Sequence, residues 1–219
     1  MKIYVNGLGR AGKHHRAAFT LIEMIGVLAV IAILASMLLP KVFSAINDAR
    51  VNSTAVATES VKAAAASHYG KFGQFDMLQG TINIYTASNI TTGVFPGYDV
   101  NVLMAEGLMD KPFSAKIAGG DPSNNSSIQL LKATAATPIG NNGTGYKLDG
   151  VNNATATASY VLEAVLNNVS QSDAKDLNDR IDGTALGTPL GQADTAGRVE
   201  YSLPNGNGPV TVYIYLTHR

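Results

Sequence analysis

The hydrophobic pattern of the chain is dominated by one unbroken apolar run, Phe19 to Leu39 (FTLIEMIGVLAVIAILASMLL), in which Glu23 is the single ionisable residue. A helix needs about 20 apolar residues at 1.5 Å each to cross a bilayer's hydrocarbon core, and this run supplies them. Pro40 follows at once, and beyond it the pattern changes: Val42, Ile46 and Ala49, then Ala57, Val61, Ala64 and Ala65, recur at threes and fours. That is the spacing of a helix with one buried face. The pattern predicts one long helix over 19–70, with Gly70 as its C-cap. Pro40 should bend or melt it, because proline removes an intrahelical hydrogen bond. The alanines at 63–66 suit close approach of a sheet.

After residue 71 the periods shorten. Thr81 to Thr86 reads as a short strand, and Asp99 to Glu106 as a short helix with Asp99 as N-cap and Gly107 as stop. The polar stretch from Ser114 to Ala158, with one apolar interruption at Ile128 to Leu131, has the composition of surface loops. Ser159 to Leu166 alternates like a half-buried strand. Ser170-Gln171-Ser172-Asp173 resembles a capping box; it opens a helix with Ala174, Leu177 and Ile181 on its apolar stripe and Gly183 as terminator. Arg198 to Leu203 and Val210 to Thr217 alternate around the turn-forming residues 204–209, as a hairpin does. Its inward sets are Val199, Tyr201 and Leu203 on one strand, and Val210, Val212, Ile214 and Leu216 on the other.

Charge gives the chain a direction. The first 18 residues carry Lys2, Arg10, Lys13 and Arg16 and no acid, so the positive-inside rule places the N-terminus in the cytoplasm and the part after Pro40 across the membrane. The whole chain is neutral; without those four cations the rest stands at −4, which lacks the basic footprint of a nucleic-acid binder. Cysteine is absent from the 219 residues, so loops must be closed without disulfides and Cys-based zinc sites are excluded.

The basic leader, the small residue Ala18 and the sequence Phe19-Thr20-Leu21-Ile22-Glu23 running into an apolar helix resemble the cleavage and methylation site of type IV pilins and type II secretion pseudopilins. Phe19 at the first mature position, Glu23 at the fifth and Pro40 at the twenty-second agree with the family pattern; Ala18 stands where the family usually has Gly. The resemblance implies cleavage between Ala18 and Phe19 and N-methylation by a prepilin peptidase, and an assembly role for Glu23. It implies an α+β, pilin-like fold: a long N-terminal helix packed on a C-terminal antiparallel sheet. The chain then divides into a cleaved leader (1–18), the helix (19–70, transmembrane over 19–39) and an exported domain (71–219). Tyr69, Gly73 and Phe75 are similar to the pattern that ends the first pilin helix. The segment Val169 to Leu177 resembles a type IVb pilin segment that carries a disulfide cysteine, with Ala174 in the cysteine's place. Partners implied are identical or related subunits, the peptidase, the assembly machinery and the inner membrane, with the product at the cell surface or, for a pseudopilin, in the periplasm.

A physical argument for Glu23 stands beside the resemblance. A carboxylate inside a membrane helix costs roughly 2.5–3.5 kcal/mol and usually has a partner. Cleavage before Phe19 would create an α-amine one turn away, on the same subunit or a neighbour. The alternative, a position at the interface favoured by the helix N-terminal dipole, explains the glutamate but not the basic leader.

Other chemistry is thin. Gly7-Leu8-Gly9-Arg10-Ala11-Gly12 matches GxGxxG, but a membrane segment follows where the dinucleotide fold needs an amphipathic helix. His14 and His15 belong to the basic flank, and His68 and His218 stand alone. The triplet Asn142-Gly143-Thr144 follows from Asn and Thr richness. Asp173, Asp176, Asp179 and Asp182 lie along one helix, whereas calcium needs six to eight converging oxygens; a solvated face with an Asp176–Arg180 pair is expected. No catalytic motif, metal site or cofactor is expected. The reading is a structural filament subunit, with a pseudopilin as the alternative and a membrane-anchored periplasmic binding domain that never polymerises as the rival of another class.

Overall fold

The computed structural model describes residues 19–78, 82–84, 93–121, 125–132, 145–155, 159–203, 206 and 208–219. Contacts divide the chain into two units, one ending at Ser44 and one spanning Ala45–Arg219.

The described part of the first unit is helical. Helix α1, Leu21–Phe72, starts here and runs through Pro40 into the second unit. Pro40 has no N–H to offer the carbonyl of Ser36. Nearby, the Ser36 hydroxyl donates to the Ile33 carbonyl (2.7 Å) and the Ser44 hydroxyl to that of Lys41 (3.0 Å). The large apolar residues from Phe19 to Phe43 are 45–78 % exposed.

The second unit is α+β. From Val51 onward α1 buries Val51, Thr54, Thr58, Val61, Ala64, Ala65 and His68. This stripe departs from the one the sequence predicts: Ile46 is 52 % exposed and Ala49 is exposed, while two threonines lie inside. Threonine is tolerated there because the helix itself satisfies its hydroxyl, Thr54 donating to the Arg50 carbonyl (3.0 Å) and Thr58 to that of Ala55 (2.7 Å). Gly70 lies within the helix. Gly73 ends it instead: at φ +70° it adopts the left-handed conformation and donates its N–H to Tyr69 (2.7 Å), a pattern that glycine alone enters without strain.

The remaining elements are β1 (Met77–Leu78), β2 (Ile82–Asn83), β3 (Val94–Pro96), a π-helical turn (Asp99–Leu103), β4 (Ser126–Lys132), β5 (Tyr160–Val169), α2 (Gln171–Ile181), β6 (Val199–Tyr201) and β7 (Val210–His218). Strands β1 and β2 pair with each other; the others form an antiparallel sheet in the order β3-β4-β5-β7-β6. Of the strand predicted over 81–86, Ile82 and Asn83 are observed; Ile84 lies beyond the strand and is buried in the main core, and Thr81, Tyr85 and Thr86 lie outside the described residues. Asp99 is not an N-cap. Its side chain is buried and accepts the backbone N–H of Phe113 (2.7 Å), fastening a later loop to the turn.

The sheet is covered on both faces. Ile128, Leu130, Leu162, Ala164, Leu166, Val199, Tyr201, Val212, Ile214 and Leu216 join the buried face of α1 in the main core. On the other face Leu131 and Val161 pack with Tyr146, which comes from the stretch read as loop. That stretch therefore supplies both a strand, β4, and an outer layer. Strand β5, expected to be half-buried, is buried from Val161 to Leu166 on both faces. The Tyr146 hydroxyl donates to the buried Glu163 (2.8 Å), which also accepts from Gln129 (2.8 Å). Burial and the neighbouring carboxylates push the Tyr146 phenol well above its ordinary range, so it stays a donor. The following turn is tied by Asp149, whose carboxyl is held down to about 2 by the Asn152 amide and the backbone N–H groups of Val151 and Asn152.

The hairpin forms with Val199 opposite Ile214 and Tyr201 opposite Val212. Leu203, predicted to face inward, lies beyond β6 and is 70 % exposed. Asp194 bridges Tyr201 through two backbone hydrogen bonds of 3.0 and 3.1 Å and so covers the free edge of β6. At the opposite edge β3 is three residues long and ends in Pro96, which has no N–H to offer. Both edges are thus blunted against pairing with another chain.

Two outcomes follow. The chain from residue 47 onward is expected to be soluble and monomeric by light scattering, since the uncovered apolar run has been removed. In that fragment Tyr146→Phe should lower stability by about 1–2 kcal/mol in urea denaturation, because a buried carboxylate loses one of its donors.

Candidate processing and assembly site

The site is the start of α1. Phe19 is 76 % exposed and precedes the helix, and Thr20 is its N-cap: the Thr20 carbonyl accepts the first helical N–H, from Met24, at 3.2 Å. Glu23 sits at the third helical position. Its backbone N–H donates to the Thr20 hydroxyl oxygen (3.3 Å), and its Oε2 accepts from the Thr20 backbone N–H (3.1 Å) and hydroxyl (3.0 Å). This reciprocal arrangement is a capping box, Thr-x-x-Glu, and satisfies two backbone donors that a helix start otherwise leaves open. The first intrinsic partner of Glu23 is therefore Thr20. Its sequence signal is a Thr three residues before a Glu at the head of an apolar run.

Downstream of the cap the helix carries no further charge until Lys41, and the residues between are exposed. Its most apolar window has a mean hydropathy of 2.6 with none of its residues buried, which by length and composition suits a membrane span. Pro40 closes this stretch. Ala18, the basic leader, His14, His15, the glycine-rich motif at 7–12 and the Asn142 triplet lie outside the described residues.

The remaining polar candidates serve packing. The Asp173, Asp176, Asp179 and Asp182 series does not converge. Asp173 donates its backbone N–H to the Ser170 hydroxyl (3.1 Å), which caps α2 as the sequence predicts. Asp179 pairs with Lys175 (2.8 Å), and Asp182 accepts the backbone N–H groups of Arg198 and Val199 (2.8 Å each). Burial raises the Asp176 carboxyl, and the neighbouring Asp173, Asp179 and Asp48 add to it. The expected Asp176–Arg180 pair is replaced: Arg180 donates to Asn52 of α1 (3.1 Å). Among the described residues no group of three or more acidic or histidine side chains is placed to hold a metal ion. His68, read as solitary, is buried in the main core with Nδ1 2.8 Å from Glu106 Oε2, between the rings of Phe72 and Tyr98. His218 lies 2.6 Å from the Tyr215 hydroxyl.

Arg198 reaches Glu59 of α1 (2.7 Å) and holds that carboxyl below its usual range, while both Nε and Nη2 of Arg50 donate to the Lys116 carbonyl (3.0 and 2.8 Å). These contacts clamp the second half of α1 to the rest of its own unit. They provide no reactive geometry.

Residues 13–39 match the family model of the prokaryotic N-terminal methylation motif. This is a prepilin-type N-terminus. It is the hallmark of type IV pilin and pseudopilin precursors, and the long N-terminal helix with antiparallel sheets after it is a pilin-like α+β arrangement. The prepilin motif implies processing by a prepilin peptidase and assembly from a membrane, and with the apolar helix it fits an inner-membrane precursor. Proteins so marked are structural. No curated protein and no solved structure matches the chain.

Proposed function

We propose that the protein is the structural subunit of a type IV pilus-like filament, cut between Ala18 and Phe19, methylated on the new amine, and assembled through its N-terminal helix. The observation that carries this reading is the prepilin-type motif joined to an apolar helix whose side chains no described part of the chain covers. Such a surface needs lipid or other helices around it. The blunted edges of the sheet leave the helix as the route of association.

In this reading the precursor waits in the inner membrane with its domain exported, Pro40 marks the place where the helix bends on packing, and Glu23 meets the α-amine of Phe19 on its own or a neighbouring subunit. A pseudopilin would share these steps and stay in the periplasm; the filament's location separates the two.

The protein from its native membrane is expected to begin at Phe19 and carry one methyl group, read by intact mass. An intact Met1 leader, or a cut after the apolar run as in a secretory signal, contradicts the reading. For assembly, Glu23→Ala and Glu23→Gln should reach wild-type membrane levels yet lose most sheared filaments in electron micrographs, with Glu23→Asp partly retained. Leaving a buried amine without its counter-charge costs on the order of 3–5 kcal/mol. Wild-type filament yield from both Ala and Gln variants would remove the charge-pairing mechanism, and absence of filaments from the wild type itself would favour a non-polymerising anchor.

A further inference from the structure

We infer that the second unit carries a lipid-binding surface at the pole where α1 enters it: Leu190 and Leu203 rest in the headgroup layer of the bilayer that the apolar run spans. This deepens the reading of a subunit held in the inner membrane and rests on it.

Hydrogen bonds fix which residues share this pole. Both Nε and Nη2 of Arg50 donate to the Lys116 carbonyl (3.0 and 2.8 Å), so the loop after Phe113 lies beside α1 at Arg50. That loop meets the end of β5 through the Ala118–Val169 bridge and through the Gly119 N–H, which donates to the Asn168 carbonyl (2.9 Å). Val169 in turn pairs with Val210 at the start of β7, and Gln171 donates to the carbonyls of Gly206 and Gly208 in the turn before it (3.0 and 3.1 Å). Leu190 lines a cavity of about 520 Å³ with Asn168, Gln171 and Pro209. Leu203 follows Ser202, whose N–H donates to the Thr211 carbonyl (3.0 Å). The two leucines are 60 and 70 % exposed, and Pro209 is exposed beside them. The start of β5 lies at the opposite pole, where Tyr160 donates to Asp76 (2.7 Å) and Arg219 stacks over Tyr69 of α1.

Single exposed leucines are ordinary on a protein surface; the position of these two is what gives them a partner. Apolar exposure on α1 continues past Pro40, with Val42, Phe43 and Ile46 at 50, 66 and 52 %. Lys41 among them carries its charge to the water on a long apolar stem. From Ile46 to Arg50 the helix rises about 6 Å, and each headgroup layer is about 5–7 Å thick. The pole at Arg50 therefore stands against that layer. Its covalent link to the span keeps it at high effective concentration, so weak apolar contacts suffice to seat it. Arg50 and Lys116 bring positive charge to this end and Asp48 and Asp121 negative, so the leucines, and not a net charge, supply the attraction.

The chain contains no tryptophan, so a single introduced one is a unique fluorophore. The test places the full chain in phosphatidylcholine bicelles, with or without lipids brominated on the upper acyl chain, and carries in turn Leu190→Trp, Leu203→Trp, Val30→Trp in the apolar run and Ile82→Trp. Ile82 is 52 % exposed at the opposite pole, where its neighbour Asn83 donates to Asp76 (2.7 Å). The first three variants should be quenched several-fold by the brominated lipid, and Ile82→Trp should keep its emission. Adding Leu203→Asp to Leu190→Trp should bring quenching down to the Ile82→Trp level with an unchanged circular dichroism spectrum. Quenching of Leu190→Trp and Leu203→Trp no stronger than that of Ile82→Trp overturns the inference, and a quenched Val30→Trp then leaves the membrane reading standing. Quenching that survives Leu203→Asp overturns it too, since the leucines would not be what seats the pole. If Val30→Trp itself escapes quenching, the apolar run is not a span, and the membrane reading and this inference fall together.

Discussion

An apolar helix with a single carboxylate near its head cannot be left in water, and the rest of the molecule answers that constraint. From Phe19 to Leu39 the side chains are exposed among the described residues, a surface that by length and composition suits lipid. The second half of the same helix meets the opposite condition. There, small and β-branched residues, Val51, Thr54, Thr58, Val61, Ala64 and Ala65, are buried on one face, and the apolar ones share a core with the sheet. One element thus changes its solvent along its length, with Pro40 and Lys41 between the two regimes.

The second unit achieves closure without a disulfide. In place of covalent links it uses buried polar anchors, each holding a loop to a regular element. Asp99 holds the loop at Phe113. Glu163 holds the outer layer through Tyr146. Asp194 accepts from Asn178 of α2 and from the backbone N–H groups of Thr188 (3.1 Å) and Ala196 (3.0 Å), organising the loop between α2 and β6. In the resemblance to type IVb pilins Ala174 takes the place of a cysteine; in this chain the neighbouring turn of the same helix carries Asn178, and hydrogen bonds tie it to the loop. Such anchors specify geometry strongly because an unpaired buried carboxylate is costly.

The cap at the helix start and the blunt edges of the sheet act together. A subunit that associates through its sheet would need a long free edge, whereas β3 and β6 are three residues each, one ending in proline and the other covered by Asp194. The helix start, by contrast, holds a carboxylate with one oxygen bonded by Thr20 and the other bonded by no described residue.

What depends on local chemistry and on period is legible in the residues alone. The apolar run, the basic flank, the prepilin-type motif, the cap of α2 at Ser170 and the hairpin of β6 and β7 all express interactions between residues close in the chain, so composition and spacing reveal them. Tertiary structure alone decided which residues face which partner at long range. Alternation could not tell that β5 is covered on both faces, because its cover, Tyr146, comes from a polar stretch whose composition resembles a loop. Spacing placed the buried stripe of α1 too early, since Val42, Ile46 and Ala49 have the right period and burial of the helix begins only at Val51. Asp99 and His68 read as a cap and a solitary histidine until the fold brought Phe113 and Glu106 to them. The physical reason is the same each time: a side chain's burial and partner are properties of the surface that folds against it, and that surface is assembled from residues far away in the chain.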